Sequence, residues 1–158
     1  MRAAAWLAVF ALLAAPPAAR AETLTGKVVS VADGDTITVL VDSQRVKVRL
    51  AEIDAPERGQ PWGRRAKQAL IEKLAGHVVQ VETKWSDRYG RRVGHVRYSG
   101  RDINREMVRE GHAWVYRQWM RDTTLLDDEA HARAAHAGLW ALPEPERTPP
   151  WQWRAAAR

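Results

Sequence analysis

The 158-residue sequence predicts an α+β fold, with about five short antiparallel strands closing as a small barrel and three helices packed on it. Three observations predict it. Apolar residues alternate with polar ones from Leu24 to Leu50, the spacing turns helical after Gly63, and Gly76, Gly111 and Gly138 each follow a helical stretch as a stop.

The first element is not part of the fold. Met1 and Arg2 precede an apolar run from Ala3 to Ala15, and Ala19-Arg20-Ala21 forms a small-residue cleavage pattern before Glu22. This reads as a secretory signal peptide over 1–21, because a run broken by Pro16 and Pro17 is short for a span that needs about 20 apolar residues. Residues 24–31 form the first strand. Ile37, Val39 and Val41 share a face, a turn follows at Asp42-Ser43-Gln44, and Val46, Val48 and Leu50 repeat the alternation. Residues 77–83 and 93–98 complete the strands. The first helix runs from about Gly63 to Ala75, with Ala66, Leu70 and Leu74 inward. The second runs from about Asp102, its N-cap, to Glu110, with Ile103 and Met107 inward. The third begins near Thr124, which with Asp127 resembles a capping pair, and continues through Ala130 and Ala134 to Gly138. Four prolines in 143–151 predict an extended tail without a core of its own. The expected organisation is therefore a leader over 1–21, a domain over 22–142 and a Pro/Trp-rich tail over 143–158.

Composition narrows the partner. Without the leader's Arg2 and Arg20, 23 basic face 19 acidic residues, a balance that leans toward a polyanion such as nucleic acid. The absence of cysteine leaves the domain to be held by its core or a ligand. The five histidines share no metal-ligand spacing; His131 and His136 lie five apart, a poor interval for one helix face. Trp62, Trp114, Trp119 and Trp140 read as core or helix-docking residues, while Trp151 and Trp153 fold back or meet a partner.

Chemistry concentrates in three segments. In VADGDTITV, residues 31–39, Asp35 shares the parity of the inward residues, so its carboxylate needs hydrogen bonds, a counter-charge or a metal; the plainer reading is a turn capped by Asp33 and Asp35. In VKVRL, residues 46–50, Arg49 faces opposite the apolar series, where a guanidinium forks onto a phosphate or simply confers solubility. The following IDAPE, residues 53–57, sets Asp54 and Glu57 on a loop fixed by Pro56. Asp54 and Asp35 are candidates to share one hard cation, leaving Glu57 to orient or deprotonate a water. In WSDRYGRRVGHVRY, residues 85–98, Arg88, Arg91 and Arg92 flank a turn at Tyr89-Gly90, and Tyr89 offers a stacking face; a decorated hairpin is the alternative. Glu52, Arg58, Arg64 and Arg65 read as ordinary loop and helix-face charge.

Taken in order, DGDT at 33–36, Arg49, IDAPE at 53–57, DRYGR at 87–91, INREMVREGHAWVY at 103–116 and GLW at 138–140 resemble the staphylococcal-nuclease-like, or thermonuclease, family over roughly 24–142. The resemblance implies an OB-fold barrel with three helices and a calcium-dependent phosphodiesterase acting on DNA and RNA and leaving 3′-phosphate ends. It implies Asp35, Asp54 and the backbone carbonyl of Ala55 as calcium ligands, Arg49 and Arg91 as phosphate clamps, and Glu57 as general base. Arg88 and Tyr89 match positions near bound nucleotide. The sequence departs from that pattern after Val115, with Tyr116, Arg117 and Trp119 where the family has tyrosines, and its loop at 58–62 is shorter. The expected product is exported, periplasmic or extracellular, monomeric and not membrane-inserted once cleaved. Two other classes stay open: a non-catalytic OB-type nucleic-acid-binding module and an envelope-associated interaction protein. The first predicts loss of some of Asp35, Arg49, Asp54, Glu57 and Arg91, and all five are present.

Overall fold

Alternation in the front half becomes a hairpin. Strands β2 (Thr36–Val41) and β3 (Gln44–Leu50) pair antiparallel across Asp42 and Ser43, at φ 45° and 69°. Positive φ at both central residues gives the two-residue turn whose twist matches that of the strands. Gln44, expected in the turn, is therefore already in the ladder. The computed structural model describes residues 21–157, so the segment 1–20 that carries the signal-peptide expectation lies outside the described residues.

Strand β1 (Glu22–Asp33) pairs with β2 on one side and with β5 (Val78–Ser86) on the other, and β5 pairs with β6 (Arg92–Tyr98). Strand β6 then runs parallel to β3 through Val48–Arg92, Arg49–Val93 and Leu50–Gly94, closing five strands into a barrel. The inward residues Val28, Ile37, Val39, Val48, Leu50, Val81 and Val96 fill it. Three further strands have two residues each: β4 (Ile53–Asp54), β7 (Arg101–Asp102) and β8 (Trp114–Val115). Pairs that short are held by what packs around them, and β4 with β8 forms the second small sheet.

The first two helices follow the expected spacing. Helix α1 (Gly63–Leu74) buries Ala66, Leu70 and Leu74; helix α2 (Ile103–Arg109) starts at Asp102, whose carboxylate accepts from the Arg105 N–H at 3.1 Å. Buried Asn104 fastens α2 to the barrel's closing seam. Its Oδ1 accepts from the Val96 N–H at 2.9 Å, and its Nδ2 donates to the carbonyls of Ala51 and Gly94 at 2.9 and 3.2 Å. Among the described residues no helix is long and apolar enough to cross a membrane.

The back of the chain departs from expectation in three places. Helix α3 (Leu125–Ala134) has no capping pair at Thr124, which is itself helical; Asp122 accepts from the Thr124 N–H and hydroxyl at 2.9 and 2.6 Å. The tail is not extended throughout. After 3-10 turns at Gly138–Ala141 and Glu144–Glu146 it winds into a fourth helix, α4 (Pro150–Ala156), for which Pro150 supplies a preset first turn. Trp151 docks that helix, its ring parallel to Tyr116 at 5.6 Å and edge-on to Trp114 at 5.9 Å. The tryptophans also split. Trp114 and Trp140 are buried edge to face at 4.4 Å, as expected, whereas Trp119 is 55% exposed and lies 6.1 Å from Trp85, itself exposed.

Candidate functional site

The site forms where β2 begins and β3 ends. The turn before β2 is pinned by Asp33, whose Oδ1 accepts from the Asp35 N–H at 3.1 Å. Gly34 lets this turn approach the loop after β4, because a Cβ there would lie 2.7 Å from the Cβ of Ala55 and 2.8 Å from that of Ala66. Asp35 is thus buried, accepting from the Ala55 N–H at 2.7 Å and the Thr36 hydroxyl at 3.1 Å. Burial, reinforced by nearby Asp33 and Asp54, pushes its carboxyl up to about 7 despite Arg49 and the Ala55 N–H.

Arg49 braces the cradle. Its Nη1 donates to the carbonyls of Leu50 and Ile53 at 2.8 and 2.9 Å. Its Nη2 lies 2.9 Å from Asp54 Oδ1 and 3.2 Å from Asp35 Oδ2. The guanidinium expected to stand free for a phosphate is occupied here by both carboxylates. Asp54, 1% exposed, is placed by the β4–β8 pairing opposite Trp114. Strand β8 is in turn tied to α3 through buried Glu129, which accepts from the Val115 N–H at 3.0 Å and from Arg117 Nη2 at 2.7 Å.

Glu57 leaves this cradle on a short loop. Its N–H donates to Gln60 Oε1 at 3.1 Å and its carbonyl accepts from the Gln60 N–H at 2.9 Å. Gly63 presses against that carbonyl so closely that a Cβ would lie 1.8 Å from it. The carboxylate is partly open to solvent but is held from an unexpected direction. Arg154 of α4 donates from Nη1 to Glu57 Oε1 at 2.8 Å and to Asp54 Oδ1 at 3.2 Å, and from Nη2 to Asp54 Oδ2 at 2.8 Å.

The basic turn is a separate group. Asp87 Oδ1 accepts from the N–H groups of Tyr89 and Arg91 at 2.9 and 3.0 Å, and Oδ2 from Arg91 Nε at 2.7 Å. Burial pushes the Asp87 carboxyl up, but these hydrogen bonds from Arg91 and Tyr89 outweigh it and hold it below the usual range. Arg88 and Arg91 lie over the exposed Tyr89 ring at 4.9 and 5.5 Å. Among the described residues the Arg91 side chain pairs with Asp87 and forms no ion pair with Asp35, Asp54 or Glu57, yet Val93, two residues on, is the strand partner of Arg49. The structure therefore assembles Asp35, Arg49, Asp54, Ala55 and Glu57 directly, and sets Arg88, Tyr89 and Arg91 beside them on the neighbouring strand's turn.

Three residues of the site escape sequence reasoning. Gln60 braces Glu57 and also donates to the carbonyl of Thr148 in the tail. Glu52, expected as plain loop charge, sits at φ 66° with a nearly buried side chain that accepts from the Arg121 N–H at 2.8 Å. Arg154 lies a hundred residues from Asp54, with no spacing to announce it. The donor set suits a hard divalent cation: two carboxylates converge on one nitrogen, and burial penalises the charged form of Asp35, a cost that a cation would relieve. Among the described residues no three His, Cys, Asp or Glu side chains group as metal ligands, so carbonyl, water or substrate oxygens would complete the shell.

Comparison with known proteins finds a family and relatives over most of the chain. Residues 47–142 match the family described as Staphylococcal nuclease homologue. A "Micrococcal nuclease" of Shigella flexneri is 44% identical over 144 residues, covering 84% of this chain and 82% of that protein. An "Uncharacterized endonuclease" of Haemophilus influenzae is 42% identical over 134 residues, 84% of this chain and 74% of that protein. A probable staphylococcal-like nuclease of Oryza sativa subsp. japonica is 35% identical over 116 residues, 73% of this chain but 34% of that longer protein.

Proposed function

The chain belongs to the staphylococcal nuclease homologue family, and from that membership we propose that it is a calcium-dependent nuclease hydrolysing phosphodiester bonds of DNA and RNA to leave 3′-phosphate ends. One observation carries the reading: Asp35 Oδ2 and Asp54 Oδ1 meet at Nη2 of Arg49, 3.2 and 2.9 Å away, with Glu57 three residues beyond Asp54.

Asp35, Asp54 and the carbonyl of Ala55 would hold the cation. When bound, calcium supplies polarisation of a phosphoryl oxygen and tolerates an irregular shell of oxygen donors. Glu57 orients a water and takes its proton as the water oxygen bonds to phosphorus. The P–O bond on the 5′ side breaks, its oxygen leaving as a 5′-hydroxyl after gaining a proton. Arg49 acts as a fixed positive charge, held by two carbonyls and two carboxylates, so it does not reorganise as charge develops on phosphorus. Arg91, anchored by Asp87, offers a second guanidinium from the adjacent strand, and Arg88 and Tyr89 form a charged, open face for the nucleotide.

Export follows from the leader at 1–21, which we propose is removed, releasing a monomer with residues 22–142 as its nuclease domain and 143–158 as its tail. The decisive test is incubation with single-stranded and duplex DNA and with RNA, in calcium and then in excess EDTA, with end-group analysis of the products. Calcium-dependent cleavage to 3′-phosphate ends is expected. Cleavage unaffected by EDTA, or full activity after Glu57→Gln and Arg91→Ala, would contradict the mechanism, and fractionation of the producing cells tests export.

A further inference from the structure

The tail residue that completes the cradle also obstructs it. Both oxygens of Asp54 accept from Arg154, Oδ2 at 2.8 Å and Oδ1 at 3.2 Å, and the same guanidinium takes Glu57 Oε1 at 2.8 Å. Bidentate arginine on a carboxylate is among the stronger side-chain pairings, and here one partner is almost fully buried. These are the carboxylate oxygens that a cation and an attacking water would use.

Charge points the same way. Asp35, Asp54 and Glu57 together face Arg49 and Arg154, which leaves one negative charge when every group is ionised. With Arg154 withdrawn two negative charges remain, the complement of a divalent cation. The arm that carries Arg154 is seated by a few separable contacts: Trp151 against Tyr116 and Trp114, and the Thr148 carbonyl on Gln60. Pro143, Pro145, Pro149 and Pro150 precede or open α4, and the 3-10 turn at Glu144–Glu146 lies between it and the body. A seven-residue helix that follows a proline-rich stretch and contributes no strand to the sheets can leave without opening the barrel.

We propose that α4 is an intramolecular plug, with the Arg154 guanidinium occupying the cation's and substrate's place on Asp54 and Glu57, so that loading a divalent cation requires the helix to withdraw. The inference rests on reading the cradle as a calcium-binding nuclease site. By linkage, a ligand that binds only the withdrawn state shifts the tail outward, and anything that weakens the tail's seat tightens cation binding. The device keeps the nuclease closed where free calcium is scarce, and it makes the tail, rather than the barrel, the element that reports loading.

The test is calcium titration of the full chain by calorimetry, comparing the natural protein with Arg154→Ala, Arg154→Lys and Trp151→Ala, with hydrogen exchange of residues 150–156 followed in parallel. Arg154→Ala is expected to bind calcium about tenfold more tightly, since it removes charge-assisted hydrogen bonds that compete with the cation. Arg154→Lys, which keeps the charge but loses the fork, should fall between, and Trp151→Ala should tighten binding without touching the cradle. Calcium should also raise exchange in 150–156 of the natural protein. Equal or weaker affinity in Arg154→Ala, or a tail protected equally with and without calcium, overturns the plug and leaves the nuclease reading standing. Absence of calcium binding to every chain overturns the cation site and the plug together.

Discussion

The carboxylate cradle and the basic turn at 87–91 lie on neighbouring strands and are built on opposite plans. Asp35 and Asp54 are 6% and 1% exposed; Asp35 is bonded to Ala55 and Arg49 beyond its own hairpin turn, and Asp54 to nearby Arg49 and to Arg154 in the tail. The turn closes on itself through Asp87, and its Tyr89 is 67% exposed. The bonds to Ala55 and Arg49, which remain when α4 withdraws, suit groups that must not move while charge develops. The turn suits contact with a flexible polymer whose bases and phosphates arrive in many conformations. On the proposed reading, chemistry and grip are separated by rigidity rather than by distance.

If that division holds, damage to the cradle should be far larger than damage to the turn. Asp54→Ala is expected to lower kcat about 10³-fold or more in single-turnover cleavage, with circular dichroism confirming the fold. A loss below tenfold would place the chemistry elsewhere. Glu129→Ala tests the scaffold at one remove, since it strips the partner from the buried Val115 N–H that steadies the strand opposite Asp54. It should cost roughly 2–4 kcal/mol of stability in urea unfolding. Arg91→Lys keeps the charge and loses the fork, for an expected fall of about tenfold in kcat/KM. Trp119 stands exposed beside Trp85, the residue two before the turn's Asp87, and Trp119→Ala should raise KM for single-stranded DNA by about three- to tenfold with kcat little changed, as the loss of one stacking surface would. An equal effect on kcat would blur the division.

The smallest expected effect concerns pH. Burial holds the His112 imidazole below its usual range, and the Trp62 N–H donates to its Nδ1 at 3.2 Å, which requires that nitrogen unprotonated. Because the folded value is depressed, the unfolded chain takes up the proton first as pH falls. His112 therefore adds stability above about 6.5, and that contribution is lost as pH drops through this value toward the lower folded one. Thermal unfolding of His112→Gln compared with the natural chain between about pH 5 and 8 should show the difference shrinking on the acid side. Asp35, raised toward neutrality, drives the opposite trend, which the comparison cancels because both chains carry it.

The barrel was legible because its strands alternate, so the inward series of Ile37, Val39, Val48 and Leu50 could be read by parity. Asp35 and Asp54 were legible for a related reason: a carboxylate on an inward parity, or pinned beside a proline, demands a partner. The partner's identity was not, since Arg154 reaches Asp54 only through the folded tail, and nothing local at 150–156 encodes that meeting. The placement of Trp119 was not legible because a tryptophan in a short loop carries no period to say whether it faces in or out, and it is Trp85 on β5 that meets it. Thr124 misled because Asp122, two residues earlier, competes for the same N–H. Composition alone predicted an extended tail, and the proline at its first turn instead starts a helix that the aromatic rings of the body hold in place.

The parallel seam between β3 and β6 governs how the chain acquires its shape. Its partners Arg49 and Val93 are separated by more than forty residues, and Asn104, which bolts α2 across it, comes later still. A nascent chain that has emerged only as far as β5 presents Gln44–Leu50 as an unpaired edge carrying Val46, Val48 and Leu50, a template for wrong partners. Closure is a long-range event that cannot be completed early, so folding should be slow for the size of the domain, with aggregation its main competitor. Truncations ending before Arg92 are expected to give insoluble material, whereas those removing only α4 should still fold.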